Sequence, residues 1–394
     1  MIVGRRTSLR NRVAIVGVGE SDIGKVPTMS GLGLNAQASK RALKDAGLRV
    51  SDIDGLLTAY SFTERYTMLG SSLCEYMGLQ PRMCASIVAG GASAGIMLRR
   101  AAEAIVCGDV DTVLICAGEN RATGLGREGA IAALTAVGHP QFEQPYGGSI
   151  PGFYAMVARR HMHEYGTRRE ELASVAVNTR AHALLHPNAH MKSPLTMEQV
   201  LTAKPIAEPL GMFDCCLISD AAGAFIVTSA EKARDLSKMP VYLLGIGEKH
   251  THEHIMCAPS LSQFGAAESG RIAYGMAGVS AADIDVAELY DCFTIVPIIE
   301  LEELGFCAPG EGGTFFEDGH ASITGRLPVN THGGMLSHAH AGAAGGLFGV
   351  VEAVRQLRGD LGSRQVPGAE LALVHNEGGI LSSHCTMILS SQLS

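Results

Sequence analysis

The sequence predicts an α/β protein made of two similar halves, one of which carries a long insertion. Three observations support this fold class. Strand and helix patterns alternate in both parts of the chain, as in mostly parallel sheets covered by helices. One 18-residue segment occurs twice, and a long stretch between the two copies interrupts the alternation. The predicted units are residues 1–118 with 218–236, an inserted loop or cap domain at 119–217, and residues 237–394.

The first half is predicted to alternate strands with helices up to residue 117. Its predicted strands cover 13–18, 83–88, 112–117 and 221–229, and its predicted helices cover 34–46, 70–77 and 93–106. The apolar strand 83–88 is expected to be buried. The second half begins with a strand at 240–247 and contains a helix whose apolar residues recur between 347 and 357 at intervals of three and four.

The interrupting stretch, 119–217, is rich in Gly, Pro, His and Arg. Amphipathic helices are predicted near 152–165 and 169–185. A structureless loop of that length is uncommon in compact domains, so the stretch is interpreted as an inserted domain.

The repeat joins residues 46–63 to residues 277–294. The two segments, AGLRVSDIDGLLTAYSFT and AGVSAADIDVAELYDCFT, are identical at 7 of 18 positions without a gap. Each follows a predicted helix and leads to another. Active sites of such sheets form beyond the carboxyl ends of the strands, so loops of both halves are expected to meet there.

Composition excludes several classes of function. The net charge is −8 and aromatic residues make up 5% of the chain, which argues against nucleic acid and anionic membranes as partners. No apolar run reaches the roughly 20 residues of a membrane span. The ten cysteines are scattered without metal-site spacing, so we expect reduced thiols, a cytoplasmic protein and no bound metal. The alternating histidines of 250–254 have no matching acidic or thiol partner.

The segment 326–359 carries the strongest signal for chemistry. The Asn-Thr-His-Gly-Gly run at 330–334 predicts an irregular loop, because paired glycines adopt backbone angles that other residues avoid. His338 and His340 then lie on a small-residue turn before the predicted helix. Free N–H groups at a helix start favour developing negative charge, so these histidines are candidates for catalysis.

Three motifs resemble a known family. ELYDCFT, LEELGFCAPGEGGTFFEDG and LPVNTHGG are similar to the thiolase superfamily, in the branch of sterol-carrier-protein-x thiolases and steroid side-chain-cleaving aldolases. The resemblance covers essentially the whole chain. It implies the thiolase fold, with a five-layer αβαβα core, and a homodimer in which strand 83–88 pairs across the interface.

The active-site blocks of thiolases can be placed by spacing. The nucleophilic cysteine of the family corresponds to Gly91, and the second catalytic cysteine corresponds to Asn376. Tyr290 stands where thiolases have a water-binding Asn, and His340 matches the histidine of their Gly-His-Pro block. Cys84, seven residues before Gly91, is expected to be a core thiol rather than a substitute nucleophile.

The resemblance implies roles for ten residues. Those expected to be catalytic are His340, His254 and Tyr290; those expected to contact the acyl-CoA are Gly91, Ser93, Asp291, His332, Gly333, Asn376 and Gly378. The aldolases of this branch carry tyrosine at the positions of His254 and His340. His332 has an equally plausible role in orienting its own loop.

Without either cysteine, acyl-enzyme chemistry is not expected. The resemblance implies cleavage of a C–C bond in a CoA thioester, most simply retro-aldol cleavage of a β-hydroxyacyl-CoA from a steroid side chain or a similar compound. Coenzyme A enters with the substrate and no other cofactor is expected. A small OB-fold, zinc-ribbon subunit is implied as a partner in a heterotetramer. The alternatives are a thiolase-like acyltransferase and a non-catalytic lipid-transfer or scaffold subunit.

Overall fold

The computed structural model describes residues 8–236 and 238–393. Within these ranges the strands are β1 (Val13–Glu20), β2 (Gly55–Ala59), β3 (Met83–Ile87), β4 (Thr112–Asn120), β5 (Pro205–Ala207), β6 (Leu210–Gly211), β7 (Asp220–Ser229), β8 (Val241–His250), β9 (Val286–Glu288), β10 (Leu371–Gly378) and β11 (Ser383–Ser390). The helices are α1 (Gly31–Ala46), α2 (Leu69–Met77), α3 (Ser93–Cys107), α4 (Arg121–Gly124), α5 (Gly126–Thr135), α6 (Ile150–Tyr165), α7 (Arg169–Leu185), α8 (Met197–Leu201), α9 (Ala230–Ala233), α10 (Ala266–Ala277), α11 (Ile295–Glu303), α12 (Gly312–Glu317) and α13 (Gly345–Arg358).

The strand order shows the duplication. The first half is ordered β3-β2-β4-β7-β1 and continues through β8-β11-β10-β9 of the second half. Only two residue pairs join β1 to β8. Beyond β9, Val329 forms a parallel bridge with Ala287 where the first half has β3. The two halves therefore have the same strand order, arranged outward from β1 and β8.

The repeated segments fold in the same way. In each copy a helix ends at a glycine with left-handed backbone, Gly47 at φ 70° and Gly278 at φ 71°. A 3₁₀ turn follows in both, at Val50–Asp52 and Ala281–Asp283, and leads into β2 or β9. Glycine has no Cβ to oppose this conformation, which explains why the helix ends at the same point in both copies.

Glycines in β1 and β8 bring the outer helices close to the sheets. A Cβ atom at Gly17 would lie 2.3 Å from the carbonyl oxygen of Ala42 on α1. At Gly245 it would lie 2.1 Å from the carbonyl oxygen of Ala273 on α10. The same Gly-x-Gly pattern in the two strands thus seats one outer helix on each half.

The helices α3 and α13 form the central layer. Each contacts strands of both halves, whereas α1 packs on β1, β4 and β7, and α10 packs on β8 and β11. The layers are therefore helix, sheet, paired helices, sheet and helix. This arrangement confirms the five-layer αβαβα core.

The prediction that strand 83–88 is buried is wrong. In the structure β3 is the terminal strand of the order, paired only with β2, and its central residues are exposed. Val88, directly after it, has 74% of its surface exposed. An apolar run predicts a strand, but its position at the edge of the sheet depends on long-range pairing.

The stretch between β4 and β7 contains α4 to α8 and the short β5–β6 pair. Its two main helices, α6 and α7, start within two residues of the predicted positions. Helix α7 packs on α12 and on the turn Gly334–His338 of the second half, and α6 contacts α11. The exact division at residues 118, 217 and 236 stays a prediction; β4 extends to Asn120 and β7 begins at Asp220.

Among the described helices we find no candidate for a membrane span, because none combines the required length with sufficient hydrophobicity.

Candidate active site

Tyr290 occupies the space that a side chain at position 91 would need. A Cβ atom built on Gly91 would lie 2.2 Å from ring and hydroxyl atoms of Tyr290. Tyr290 is 6% exposed, and burial, followed by Cys292 and Glu377, raises its pKa well above the usual value. Across the described chain its hydroxyl makes no hydrogen bond. The phenol is therefore protonated and available as a donor at the place where a thiolase has its nucleophile.

Asn376 connects the first turns of the two central helices. Its Oδ1 accepts a hydrogen bond from the N–H of Gly95 at 3.1 Å, and its Nδ2 donates to the carbonyl oxygen of Gly346 at 3.3 Å. Next to it, a Cβ atom at Gly378 would lie 2.0 Å from the carbonyl oxygen of Ala89. The amide of Asn376 thus joins α3 to α13, and Gly378 allows two backbone segments to touch.

Ser93 holds the turn before α3. Its hydroxyl donates to the carbonyl oxygen of Gly90 at 2.7 Å and accepts from the N–H of Ala89 at 3.1 Å. The side chain is fully buried. These contacts support a structural role for Ser93 rather than the substrate contact proposed from the sequence.

His340 lies between the π-helical turn Gly334–His338 and the start of α13. It is half-buried, and its backbone N–H donates to the hydroxyl of Ser219 at 3.3 Å. Burial and the positive charge of Arg121 lower the pKa of His340 to about 3. The imidazole is therefore neutral near pH 7, and one ring nitrogen carries a proton.

Sequence reasoning missed Cys216, the thiol beside His340. Its Sγ lies 3.2 Å from Nδ1 of His340, although the two residues are 124 positions apart. Burial raises the pKa of the Cys216 thiol, so this sulfur is protonated rather than a thiolate. Cys215–Cys216 carries no motif that could have identified it, because the contact depends entirely on folding.

The prediction that Cys84 is a core thiol is wrong. Cys84 lies exposed on β3, with its sulfur 3.7 Å from that of Cys74. It makes no contact with Tyr290 or His340 among the residues that the structure describes. The exposure follows from the position of β3 at the sheet edge.

Asp291 holds the turn that precedes His340. Its carboxylate accepts hydrogen bonds from the N–H groups of Met335 at 2.7 Å and Leu336 at 3.4 Å. Burial raises the pKa of Asp291 to about 6. A Cβ atom at Gly334 would lie 1.9 Å from this carboxylate, so only glycine fits there. Both oxygens of the buried Asp291 carboxyl group thus accept backbone N–H groups of this turn, which supports a role in positioning the loop.

His332 and Gly333 form the loop before this turn. Nδ1 of His332 lies 2.8 Å from the carboxylate of Glu288, and although burial opposes the charge, Glu288 raises the pKa of His332. Gly333 has φ 104°, and a Cβ atom there would lie 2.5 Å from that of Ala183 on α7. Both residues orient the loop, which is one of the two roles expected for His332.

His254 stands apart from the other two predicted catalytic residues. It is half-buried, and its ring packs 4.9 Å from that of His139. In the described residues, no hydrogen bond or ring contact joins His254 to Tyr290 or His340. The residues after it line an open cleft of about 580 Å³. The apolar side chains of this cleft include Phe142, Tyr146, Phe153, Met156, Met256 and Leu261.

Comparison with known proteins identifies the family. Residues 247–391 match the model described as Thiolase C-terminal domain-like. The chain is 36% identical to an acetyl-CoA acetyltransferase of Methanothermobacter thermautotrophicus over 93% of its own length and 96% of that protein. It is also 36% identical to the 17-hydroxy-3-oxo-4-pregnene-20-carboxyl-CoA lyase of Mycobacterium tuberculosis, over 95% and 98%. The chain belongs to the thiolase family.

A solved structure supports the same branch of the thiolase family. The Ltp2-ChsH2(DUF35) aldolase superposes with a TM-score of 0.87 and 33% sequence identity, covering 98% of this chain and 99% of that one. The resemblance to sterol-carrier-protein-x thiolases and steroid side-chain-cleaving aldolases is thereby confirmed. Relatives named as acetyltransferases and as lyases both align over nearly the whole chain, so activity must be argued from the site.

Behind the site of this thiolase-family chain lies a buried cluster of Glu20, His186 and His338. Ligand atoms of these three lie within 4.8 Å of one another, as a metal site requires. However, Nδ1 of His186 accepts the N–H of Asn188 at 3.1 Å, so its Nε2 must carry the proton of the neutral ring. Arg355 donates to Glu20 at 2.7 Å. This donor set fits a metal poorly, and the ring of the fully buried His338 packs against those of His186 and Phe348.

The arrangement supplies proton donors without a nucleophile. The phenol of Tyr290 fills the space beside Gly91 and His340 supplies a neutral imidazole, and neither of the two thiolates that acyl transfer requires is present at this site. Hydrogen-bond donors fixed in a site of low polarity stabilise negative charge that develops on a thioester oxygen. The site can therefore hold an enolate, but it has no ionised sulfur among the described residues to carry an acyl group.

Proposed function

We propose that this thiolase-family protein is an aldolase that cleaves the Cα–Cβ bond of a β-hydroxyacyl-CoA. The observation that carries the proposal is Tyr290 filling the volume of residue 91, where the family has its nucleophile. An acyl-enzyme cannot form at Gly91, and the protonated phenol stands in its place. The relatives named as a lyase and as an aldolase support the same reaction class.

The reaction balances without a co-reactant. A base takes the proton of the β-hydroxyl, its oxygen lone pair forms the carbonyl, and the Cα–Cβ electron pair passes into the thioester enolate. A donor then protonates Cα, which releases a shortened acyl-CoA and a ketone or aldehyde. We assign the enolate oxygen to His340, protonation of Cα to Tyr290, and removal of the hydroxyl proton to His254 at the cleft.

The acyl group is proposed to be apolar and of steroid side-chain type or similar. The cleft beside His254 supports this, because three aromatic and two methionine side chains are among the residues that line it. Methionine adapts to irregular apolar ligands. Coenzyme A arrives as part of the substrate, and the proposed reaction needs no other cofactor.

The test is a panel of β-hydroxyacyl-CoA and β-ketoacyl-CoA thioesters, with and without free CoA, followed by mass spectrometry. We expect β-hydroxyacyl substrates to yield shortened acyl-CoA without free CoA. Tyr290→Phe and His254→Ala should each lower kcat about 100-fold, because each removes a proton carrier. Cleavage of β-ketoacyl-CoA that requires free CoA would overturn the proposal.

A second candidate is acyl transfer through Cys216. Its contact with Nδ1 of His340 resembles a Cys–His pair, and an acetyl-CoA acetyltransferase is among the similar proteins. The raised pKa of Cys216 opposes this reaction, because the thiolate is the nucleophile. An acyl adduct mapped to Cys216 by peptide mass spectrometry would favour it over the aldolase.

We also propose an assembly of two copies of this chain with a small OB-fold, zinc-ribbon subunit. The solved relative named as an Ltp2-ChsH2(DUF35) aldolase supports a second subunit type. The unpaired edge of β3 supports pairing between two copies. The heterotetramer is tested by purifying the tagged chain from its native cells and looking for a small zinc protein that co-purifies. A homodimer that is fully active without this subunit would contradict the proposal that the partner is required.

A further inference from the structure

Glu377 is a buried carboxyl group that accepts a hydrogen bond from Cys292, two residues after Tyr290, and within the described residues none of its hydrogen bonds comes from a basic group. It follows Asn376 on β10 and is 1% exposed. The hydroxyl of Tyr154 donates to it at 2.5 Å, the thiol of Cys292 at 3.2 Å, and the N–H of Leu381 at 3.2 Å. A buried carboxylate without a cation is costly, so such groups are seldom kept without a role.

Tyr154 gives Glu377 hydrogen bonds in both protonation states. Its hydroxyl lies 2.5 Å from Glu377 and 3.2 Å from the carbonyl oxygen of Gly379. When Glu377 is ionised, the hydroxyl donates to the carboxylate. When Glu377 is protonated, it can donate to the oxygen of Tyr154, whose own proton turns to Gly379. Neither state leaves a buried donor or acceptor without a partner.

This pair links the cleft to the reaction centre. Tyr154 lies on α6 next to Phe153 of the cleft wall, and its ring stacks on Phe293 at 4.4 Å. Gly379 follows Gly378, and a Cβ atom at Gly90 would lie 2.7 Å from the N atom of Gly379. The pair therefore sits directly behind the turn that carries Gly91.

We propose that Glu377 and Tyr154 form a proton-holding pair, and that the charge of Glu377 controls proton transfer by Tyr290. The proposal rests on the aldolase function proposed above. When Tyr290 gives its proton to Cα, negative charge develops on the phenol oxygen. A nearby carboxylate opposes that charge, whereas a neutral carboxyl group does not. Glu377 is a positioning residue in this role, because it acts through Tyr290 without touching the substrate.

The charges around Glu377 determine the direction of the effect. The titratable groups that interact with it are Tyr154 on α6, Tyr290 and Cys292 after β9, and Glu300 on α11. All of these are neutral near pH 7, since burial raises the pKa of each. Burial raises the pKa of Glu377 to about 7. Glu377 is therefore neutral below that pH and becomes an anion above it, so turnover should fall as pH rises through about 7.

The first experiment compares pH profiles of kcat in the full-length protein. For the wild type we expect about a tenfold fall in kcat between about pH 6 and about pH 9. Glu377→Gln is always neutral and should keep the low-pH rate while losing that fall. Tyr154→Phe removes a donor to the carboxylate and should move the fall to higher pH. A Glu377→Gln profile with the wild-type shape, or a uniform loss at every pH, would overturn the proposal.

Glu300→Gln is the matched control. Glu300 is also buried, accepts the N–H of Tyr290 at 2.9 Å, and has a pKa raised well above the usual value by burial. It has no hydrogen bond to Tyr154, so the fall near pH 7 should persist in this variant. If the fall in kcat near pH 7 were lost in Glu300→Gln, the role proposed for Glu377 would be contradicted.

A second measurement does not depend on turnover. Infrared difference spectra of the free protein should show a buried carboxyl band that titrates near pH 7, above the titration of Asp291 at about pH 6, and Glu377→Gln should lack the upper band. If that band is present but no β-hydroxyacyl-CoA is cleaved, the proton-holding pair stands and the aldolase function fails. If β-hydroxyacyl-CoA is cleaved but the band is absent, the aldolase function stands and the proton-holding pair is overturned.

Discussion

Nδ1 of His340 lies 3.2 Å from Sγ of Cys216 and 3.2 Å from the carbonyl oxygen of Leu217. The two neighbours favour opposite tautomers of the neutral ring. A thiol that donates to Nδ1 leaves the proton on Nε2, where it can stabilise a thioester enolate. The carbonyl oxygen of Leu217 instead attracts the proton to Nδ1, so Cys216 is positioned to select the tautomer that donates to the substrate.

Cys216→Ala should therefore lower kcat about tenfold with little change in KM, because only Leu217 then contacts Nδ1. Cys216→Ser restores an O–H donor and should recover most of the rate. Kinetics of the two variants, with ¹⁵N NMR of the His340 ring, measure the effect. Equal losses of kcat in both variants would contradict a role for the Cys216 thiol as a hydrogen-bond donor to His340.

His340→Ala should lower kcat by about 100- to 1,000-fold, the usual cost of removing one donor to a developing oxyanion. The pKa of about 3 keeps the ring neutral at higher pH, so the loss should be the same across the neutral range. Thermal unfolding should change little, since His340 is itself only half-buried, although its loop neighbours are buried. A loss that appears only on one side of pH 7 would contradict a neutral donor.

Gly91→Cys should not create a thiolase, because the new Cβ would collide with the ring of Tyr290. We expect a loss of aldolase activity of at least about tenfold and no acyl adduct. Gly91→Cys combined with Tyr290→Ala provides the missing room, and intact-mass measurement after incubation with acyl-CoA compares the two. Stoichiometric acylation of Gly91→Cys alone, with aldolase turnover equal to that of the wild type, would contradict the predicted collision with Tyr290.

Cys84→Ala should leave kcat nearly unchanged, because this exposed thiol makes no contact with the described site. In chains that are not paired through β3, iodoacetamide should alkylate Cys84 ahead of Cys216, whose raised pKa slows its reaction. Turnover is expected to survive that first alkylation. Peptide mapping at each time point shows which sulfur has reacted; inactivation in step with Cys84 modification would speak against a thiol-independent enzyme.

Val88→Lys should weaken the proposed homodimer, because a lysine beside an edge strand opposes strand pairing. Light scattering should give twice the chain mass of 41.3 kDa for the wild type and a smaller value for the variant. Val50→Lys is the control, an exposed valine in the turn after α1. A monomeric wild type, or equal dissociation of both variants, would reject the β3 interface.

The sequence alone determined the features that depend on neighbouring residues or on repeated patterns. The duplicated segment predicted two equivalent halves, since the helix, the left-handed glycine and the 3₁₀ turn form within a few residues of one another. Spacing also predicted that Gly91 and Asn376 stand at the positions of the family's two cysteines. The glycines around 333 and 334 predicted an irregular loop for the same local reason.

Only the tertiary structure decided which side chains meet. Tyr290 reaches the space beside Gly91, Cys216 contacts His340, and Tyr154 reaches Glu377 across 223 positions of sequence. The exposure of β3 and the separation of His254 from Tyr290 depend in the same way on how strands and loops are ordered in space. Such contacts carry no local pattern, because they form when packing of the five layers brings distant segments together.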